Sequence, residues 1–491
     1  MRYKSDFRKS FSTTISATKA NNNQIDNNLN NSVFSFSNTL DLTHRINDYH
    51  ALTFNITAIQ DDNSQSYMMR QNQPRLTPSV FEPFDALSQR IEKPLQYYAA
   101  NAQWLYARNT LKLSHYLGVV IRNEDLHTAL ISSFLNNATT FPDSFQNNLN
   151  LNQKNYYVGF NAKEEWLDFQ FFSDISGGFH RNDISNRACQ SSFYALPTIG
   201  FKRSVKEKHN FLGTYAYNYA LPQSVDLSNG FILTDYRSMN RGSPFFIPQY
   251  SHTAIFNYKY GNFADEFLWH FNILHTANSK GYRSNFNINA DFNISDKVEN
   301  SFINKNTLIS GSIEKYMPQL YMRLKMRPSL ILGNYPNTLN GSAIRNTNSV
   351  NTQLDISLRS AYLKWFNYHI GSTFNQSDIT TQSGDTKSEV KNQSIGSFVD
   401  FYLKFNNKIN AKIENETFYF KQQNTNAQKY YFLNANVSYD IIQTKLSANL
   451  TVKNILNTNE FINSYVSDFS TQINRIQLLP RYVLLELNYR F

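Results

Sequence analysis

The side chains that could support catalysis or metal binding are scattered along this chain. It has ten histidines and a single cysteine, Cys189, among 491 residues. A nucleophilic hydrolase needs a histidine beside its serine or cysteine, and a zinc site needs several closely spaced ligands. His270 and His275 are five residues apart, so a strand would place them on opposite faces. The sequence contains no His-Glu-x-x-His, Gly-x-Ser-x-Gly or glycine-rich phosphate-binding motif.

Two pairs of adjacent carboxylates, Asp61–Asp62 and Glu164–Glu165, are poor candidates for acid/base catalysis. Neighbours on a strand point to opposite faces, so solvated turns are the more natural place for both pairs. A lone cysteine forms neither an intramolecular disulfide nor a cysteine-based metal site. We therefore predict no enzyme activity, no catalytic residue, no cofactor and no bound metal.

The chain is basic, with a formal net charge of +10. Binding of nucleic acid would need a clustered basic face with interleaved aromatic residues or a known motif. Lysine and arginine are instead dispersed along the whole sequence, so we predict no nucleic-acid partner. A basic lumen or rim that attracts anionic solutes is compatible with this charge.

The elements that must position these side chains are strands, and the last one has the clearest pattern. Tyr489 and Phe491 share one face of the final ten residues with Val483, Leu485 and Leu487. The other face alternates with them and includes glutamate, asparagine and arginine. Such a strand can face lipid on one side and a polar lumen on the other. An aromatic C-terminal residue with Tyr two before it resembles the signal of bacterial outer-membrane β-barrels, and we predict that Tyr489 and Phe491 are recognised by the barrel-assembly machinery.

The same period of two recurs along the chain in segments of about ten residues, which is typical of transmembrane barrels. Aromatic residues make up 15% of a chain that is only 41% hydrophobic. Short turns are predicted near residues 44–50, 107–110, 163–166, 205–209, 260–266, 406–409 and 440–445. Long polar segments alternate with them near residues 20–31, 60–94, 124–152, 182–191, 222–249, 333–350, 374–394 and 456–480. Trp166 and Trp365 fall at short turns, where they would form an aromatic girdle or pack within the strands.

We predict one all-β domain over residues 1–491: a transmembrane antiparallel β-barrel of about 20–22 strands with long external loops and short periplasmic turns. The uncertainty in the strand count comes from residues 286–292. If this segment crosses the membrane, another strand is needed nearby, whereas a loop hairpin there leaves twenty. A soluble all-β adhesin is the alternative, but the charged alternate faces of the strands disfavour it.

Two segments near the C-terminus resemble TonB-dependent receptors, most closely those of Bacteroidota. Residues 450–457, Leu-Thr-Val-Lys-Asn-Ile-Leu-Asn, are similar to the V-x-N-L-x-N strand end that precedes the last external loop of such receptors. Residues 479–491 are similar to their final strand. The rest of the chain matches in architecture only. The resemblance implies a barrel of about 22 strands, an internal N-terminal plug, and import driven through the TonB complex.

The chain departs from this family before its first strand. No plug or TonB box is found there, residues 11–17 already have a strand pattern, and the first ten residues lack the apolar core of a signal peptide. We expect the chain to be the C-terminal part of a longer product. A plugless diffusion channel or secretion-associated barrel is the alternative.

The expected location is the cell outer membrane, and the expected partners are its lipids, the assembly machinery, the TonB complex through a missing plug, and a surface lipoprotein. The expected cargo is a scarce or large ligand. Candidate ligand contacts are aromatic and basic loop residues, although ordinary loop filling is the alternative for each. They are Tyr67, Arg70, Arg75, Tyr236, Arg237, Arg241, Tyr335 and Tyr465.

Overall fold

The computed structural model of the chain contains strands and three short 3-10 helices. It describes residues 2–490 without 21–22, 76–83, 135–136, 141–142, 236, 263–264, 289–292, 363–364, 424–425, 443–444 and 467–470. Among the described residues, no helix is long and apolar enough to span a membrane. The 3-10 helices are Asp143–Phe145, Ser224–Leu227 and Pro318–Leu320.

The strands are numbered in chain order. The first ten are β1 Arg2–Ala20, β2 Asn23–Arg45, β3 His50–Arg75, β4 Phe84–Arg108, β5 Leu111–Phe134, β6 Asn137–Thr140, β7 Asn147–Trp166, β8 Phe169–Ile184, β9 Gln190–Val205 and β10 His209–Ala220. The next eight are β11 Ile232–Leu233, β12 Ser238–Arg241, β13 Gln249–Tyr260, β14 Phe267–Ile288, β15 Asn293–Asn300, β16 Asn304–Met317, β17 Met322–Leu339 and β18 Arg345–Ser360. The last eight are β19 Phe366–Ser383, β20 Thr386–Lys404, β21 Ile409–Gln422, β22 Gln428–Ile442, β23 Leu446–Lys453, β24 Glu460–Val466, β25 Thr471–Gln477 and β26 Tyr482–Tyr489.

Twenty of these strands form one up-and-down meander in which each is antiparallel to the next. They are β1 to β5, β7 to β10, β13, β14, β16 to β23, and β26. The remaining six lie within connections at one end of the sheet. The prediction of an all-β antiparallel fold is confirmed.

The structure also decides the strand count. Phe286 lies at the far end of β14, where it pairs with Ser295 of β15 in a hairpin outside the meander. The described part of residues 286–292 therefore belongs to a loop hairpin, and the meander of the described residues has twenty strands. Among the described residues, β1 pairs with β2 and β26 with β23, and no ladder joins β1 to β26. Closure between these two strands remains a prediction.

Short connections occupy one end of the meander, as predicted, and this end carries the tryptophans. Trp104 lies four residues before the end of β4, Trp166 ends β7, Trp269 is the third residue of β14, and Trp365 immediately precedes β19. Trp166 and Trp365 are 65% and 62% exposed, so neither packs within a core. Their position favours the girdle interpretation over strand packing.

The opposite end differs from the prediction of long polar loops. Much of most predicted loops is strand, residues 222–249 excepted: β3 and β4 continue to Arg75 and from Phe84, and β19 joins β20 through only two residues after Ser383. The physical reason is that the apolar alternation stops where both faces meet polar surroundings, while backbone hydrogen bonding can continue. Loss of the apolar pattern therefore marks the end of the apolar band rather than the end of the strand.

The connection between β10 and β13, residues 221–248, folds back over one face of the sheet and is termed the docked loop. The face it covers is termed the inner face. The outer face of β3 carries apolar side chains from Leu52 to Ala58 and becomes polar at Gln60. This band spans seven residues, fewer than the roughly 9–11 that a tilted strand needs to cross a bilayer. Exposed apolar residues of the outer face include Phe54, Ile56, Leu117, Val158, Ile199 and Leu485.

Candidate functional site

The docked loop rests on two buried apolar clusters at the long-loop end of the inner face. In each cluster, alternate residues of the strands pack against residues of the loop. One cluster contains Leu126, Leu149, Leu151 and Ile184 with Leu227, Ile232 and Phe246. The other contains Ile25, Tyr67, Met69, Leu87 and Leu130 of the strands and Phe145 of the first 3-10 helix, with Leu233 and Met239 of the loop. Full burial of one such aliphatic side chain contributes roughly 1.5–3 kcal/mol, so the loop is held at many points.

A buried carboxylate joins the strands to the start of the docked loop. Glu124 of β5 has no exposed surface, and its Oε1 accepts a hydrogen bond from Ser224 Oγ at 2.6 Å. Lys93 Nζ lies 3.0 Å from Oε1, and Arg122 Nη2 lies 2.7 Å from Oε2. Two cations thus compensate one buried charge, and a loop hydroxyl completes its coordination. Lys93 also donates to Gln223 Oε1 at 3.3 Å.

Side-chain amides of the strands bind the backbone of the loop. Asn147 accepts from the Gly230 N–H at 2.8 Å and donates to the Gly230 carbonyl at 3.1 Å. Gln89 accepts from the Leu233 N–H at 2.9 Å, and Gln153 donates to the Pro222 carbonyl at 3.1 Å. These bonds satisfy backbone groups that the covered loop could not expose to water.

The far side of the loop is held by Arg187, from the β8–β9 connection, and by Tyr282 of β14. Arg187 donates to the carbonyls of Pro244 and Leu227 at 2.9 and 2.8 Å, and burial lowers the pKa of its guanidinium from the usual value. Tyr282 donates to the Phe245 carbonyl at 2.8 Å, and burial raises its pKa to about 12. Both groups therefore act as hydrogen-bond donors at neutral pH.

Ion pairs link the loop to the hairpin formed by β14 and β15. Arg241 Nε lies 2.9 Å from Asp296 Oδ1, and its guanidinium stacks 4.6 Å from the centre of the Phe231 ring. Lys297 forms an ion pair with Asp226. The docked loop is thereby fixed both to the strands beneath it and to the β14–β15 hairpin.

Towards the short-turn end, the inner face of β4 to β9 is mainly neutral. Tyrosine rings lie across glycines of the neighbouring strands: Tyr157 over Gly118 and Tyr116 over Gly159. A Cβ atom on Gly118 would stand 2.5 Å from the Tyr157 ring, so glycine provides the space for the ring. Tyr157 accepts from Asn101 Nδ2 at 3.2 Å. This wall offers hydroxyl and amide groups to a solute.

The inner face of β16 to β18 is charged instead. The basic patch consists of Glu314, Arg323, Lys325, Arg327, Asp355 and Arg359, which surround a pocket of about 490 Å³. A second group, termed the balanced cluster, lies on β20, β21 and β23. It consists of Asp400, Lys412, Glu414 and Lys453, joined by ion pairs of up to 3.7 Å. Charged and polar groups on an inner wall can bind and select solutes.

The predicted ligand-contact residues do not converge on one site. Tyr67 is buried, and its hydroxyl donates to Asn27 Oδ1 at 2.7 Å. Arg241 is used in the docked loop, Arg237 lies in the same loop, and Arg70 and Tyr335 are exposed on β3 and β17. Tyr236 and the side chains of Arg75 and Tyr465 lie outside the described residues. None of the five whose side chains are described, Tyr67, Arg70, Arg237, Arg241 and Tyr335, belongs to the basic patch.

The sequence did contain a signal for the basic patch. Residues 323–327 are Arg-Leu-Lys-Met-Arg, a basic residue at every second position of a strand. This pattern lies within a strand, whereas the predicted ligand contacts were loop residues. Period two places these three side chains on one face.

The asparagines of the C-terminal motif tie the start of the last long connection to its end. Asn454 adopts a left-handed conformation with φ of 51°, and its side chain donates to the carbonyls of Thr458 and Leu479 at 2.8 and 2.9 Å. Asn457 accepts from the Arg481 N–H at 3.0 Å. Asparagine tolerates this backbone conformation and supplies the hydrogen bonds. Tyr489 is exposed opposite Leu446, and Phe491 lies outside the described residues, so their role in assembly remains a prediction.

Comparison with known proteins gives similarity only at the level of structure. No protein-family model and no curated protein matches the chain. Among solved structures, the chain is similar to the copper transporter OprC, with 7% identity, a TM-score of 0.43, and coverage of 100% of this chain and 79% of that one. It is also similar to the ferric-catecholate import receptor Fiu of E. coli K12, with 11% identity, a TM-score of 0.38, and coverage of 100% and 81%. The siderophore receptor PirA of Pseudomonas aeruginosa matches with 9% identity, a TM-score of 0.36, and coverage of 92% and 74%. Similarities this distant do not assign a function to the chain.

Proposed function

We propose that the chain is the barrel region of a TonB-dependent type of receptor or transporter in the cell outer membrane, and that the docked loop controls access of solutes to its lumen. The observation that carries the proposal is the opposite character of the two faces of the meander. The outer face exposes a band of apolar side chains, while the inner face carries charged groups, amides and tyrosines. Lipid accepts a strand only if its backbone is paired and its lipid-facing side chains are apolar.

The docked loop supports control of access because it is built into the inner face rather than free above it. Glu124, Asn147 and Gln89 bind it from the strands, and Arg187 and Tyr282 bind it from the other side. Passage of a large ligand beside such a loop requires that some of these contacts break. Movement of a covering loop is a common gating step.

The test is planar-bilayer conductance of the full chain and of a variant that lacks the docked loop. Ala220 and Gln249 are direct partners on β10 and β13, so a two-residue Asn-Gly turn can replace residues 221–248. We expect heat-modifiable folding for both proteins, small or intermittent currents for the full chain, and large steady currents for the variant. A second variant, Glu124→Gln with Asn147→Ala, loosens the loop at full length and should give intermediate openings.

Unchanged conductance in a folded loop-replacement variant would contradict control by the loop. A water-soluble β fold without heat modifiability would contradict the membrane location. The partners proposed for this function are outer-membrane lipids, the barrel-assembly machinery, the TonB complex through an N-terminal plug, and a surface lipoprotein.

A diffusion channel is the second candidate, because a loop folded against the inner face can also serve as a fixed constriction. The two candidates differ in their energy requirement. Uptake that stops when TonB is deleted supports the receptor, whereas passive uptake through the full chain supports the channel. The cargo proposed for the receptor is a ligand too large or too scarce for general diffusion.

A further inference from the structure

We propose that the basic patch binds multiply charged anions, solutes with several carboxylate or phosphate groups, as they cross the lumen. The proposal rests on the proposed function in one respect: solutes must reach the inner face through a pore. The patch lies towards the short-turn end of β16 to β18, where Arg359 is the penultimate residue of β18. It is thus on different strands from the neutral tyrosine wall.

The patch contains more positive than negative charge. It has four cations, Arg323, Lys325, Arg327 and Arg359, and two carboxylates, Glu314 and Asp355, which gives a net charge of 4 − 2 = +2. Arg323 Nη1 and Lys325 Nζ share Glu314, at 3.1 and 3.6 Å. Arg327 and Arg359 are exposed on the inner face and have no ion-pair partner among the described residues.

The second carboxylate does not compensate these two arginines. Asp355 Oδ1 accepts from Thr373 Oγ1 at 2.6 Å, and its Oδ2 accepts from Gln353 Nε2 at 3.1 Å. Asp355 stands directly across from Arg327 in the ladder, yet the two form no ion pair within 4.0 Å. Neutral donors hold the carboxylate, so the guanidinium of Arg327 remains available.

In the balanced cluster, on β20, β21 and β23 of the same face, every charge is paired within the cluster. There, Lys412 lies 3.7 Å from Asp400 and also pairs with Glu414, and Lys453 lies 3.4 Å from Glu414. Two cations meet two carboxylates, and each charge has a partner. The basic patch differs from this cluster at two arginines, and we take the solute to supply their partner.

The spacing of the two arginines favours a solute with several anionic groups over a simple halide. Arg359 is directly opposite Arg323, and Arg327 lies four residues further along β17. At about 3.3 Å per residue, the Cα atoms of Arg327 and Arg359 are roughly 13 Å apart along the strands. Each guanidinium can bind a carboxylate or phosphate group through two parallel hydrogen bonds. A pocket of about 490 Å³ between them suits a small metabolite.

The experiment measures binding of tripolyphosphate and of citrate to the refolded full chain by titration calorimetry at low salt. The test variant is Arg327→Gln with Arg359→Gln. The matched control is Lys387→Gln with Lys391→Gln, which removes the same charge from two lysines paired with Glu389 on the β19–β20 hairpin. We expect the test variant to lose at least tenfold in affinity and the control to bind like the wild type. The relative affinities of the two probes separate phosphate from carboxylate recognition.

Either of two results with the variants would overturn the proposal: equal loss of affinity in the control, which indicates general surface charge, or unchanged affinity in the test variant. Failure of the wild type to bind either probe would overturn it as well. The reversal potential in a KCl gradient gives a second readout, and the test variant should show a lower anion-to-cation permeability ratio. The calorimetric measurement does not depend on conductance. Anion binding can therefore be confirmed or refuted separately from the proposed transport function.

Discussion

Loss of the Glu124 charge should release the docked loop. In Glu124→Gln, the side chain keeps an oxygen that can accept from Ser224, but Lys93 and Arg122 lose their shared counter-charge. Removing one partner of a buried ion pair costs about 3–5 kcal/mol. The side chains of Lys93 and Arg122 are 27% and 25% exposed, so water recovers part of their solvation. We therefore expect a loss of roughly 2 kcal/mol in docking free energy, below the fully buried value.

Hydrogen exchange of the loop amides, followed by mass spectrometry, measures this loss directly. The Leu233 N–H donates to Gln89 only while the loop is docked, so its exchange reports the opening equilibrium. A change of about 2 kcal/mol corresponds to roughly 30-fold faster exchange, since 1.4 kcal/mol is a factor of about ten. Glu124→Ala, which also removes the acceptor for Ser224, should exchange faster still.

The control is Glu389→Gln, which removes a carboxylate from the exposed pair with Lys387 and Lys391. Exposed ion pairs contribute little to stability, so loop exchange should stay at the wild-type rate. Exchange in Glu124→Gln within about threefold of the wild type would refute the buried-charge reasoning, because 30-fold follows from the expected energy. Equal acceleration in both variants would show a general charge effect rather than a local one.

Two further predictions concern the wall and the turns. A Cβ on Gly178 would stand 2.5 Å from both the Tyr156 carbonyl and the Tyr194 hydroxyl, whereas on Gly177 the nearest atom is 3.5 Å away. Gly178→Ala should therefore destabilise the fold by about 1–3 kcal/mol in urea unfolding, while Gly177→Ala, the matched neighbour, should be nearly neutral; equal effects would contradict the close-contact explanation. At a short turn, the hydrogen bond from Lys208 at 2.7 Å lowers the pKa of Asp265. A lowered folded-state pKa stabilises above the unfolded value of about 4 and is lost as the pH falls through the folded value. The melting temperature should thus fall less between pH 6 and pH 3 in Asp265→Asn than in the wild type, and an identical acid limb would contradict this role.

The strands and their two faces follow from the sequence because their signal is local. Alternation of apolar and polar residues needs only neighbours along the chain, and the final strand showed it from Val483 to Tyr489. The short turns also follow, since they interrupt this alternation at regular places. The long-loop end was predicted less well, because strands such as β19 and β20 continue in polar sequence up to Ser383 and Thr386.

The docked loop and the basic patch depend on contacts between residues far apart in the chain. Ser224 meets Glu124 across 100 residues, and Leu233 meets Gln89 across 144. The buried leucines beneath the loop lie in a segment that looked like a polar loop, because only alternate residues are apolar and their covering partner is distant. Likewise, the sequence around Arg327 does not show whether a carboxylate of another strand neutralises its charge.

The sequence by itself determined that this chain forms strands with one apolar and one polar face, because side-chain direction in a strand follows from the backbone alone. Tertiary structure decided which loop covers the inner face and which charges are neutralised there. These properties depend on the register between strands, which sets the partner of each side chain. Lys412 is neutralised by Asp400 and Glu414, whereas Arg327 faces an Asp355 held by Thr373.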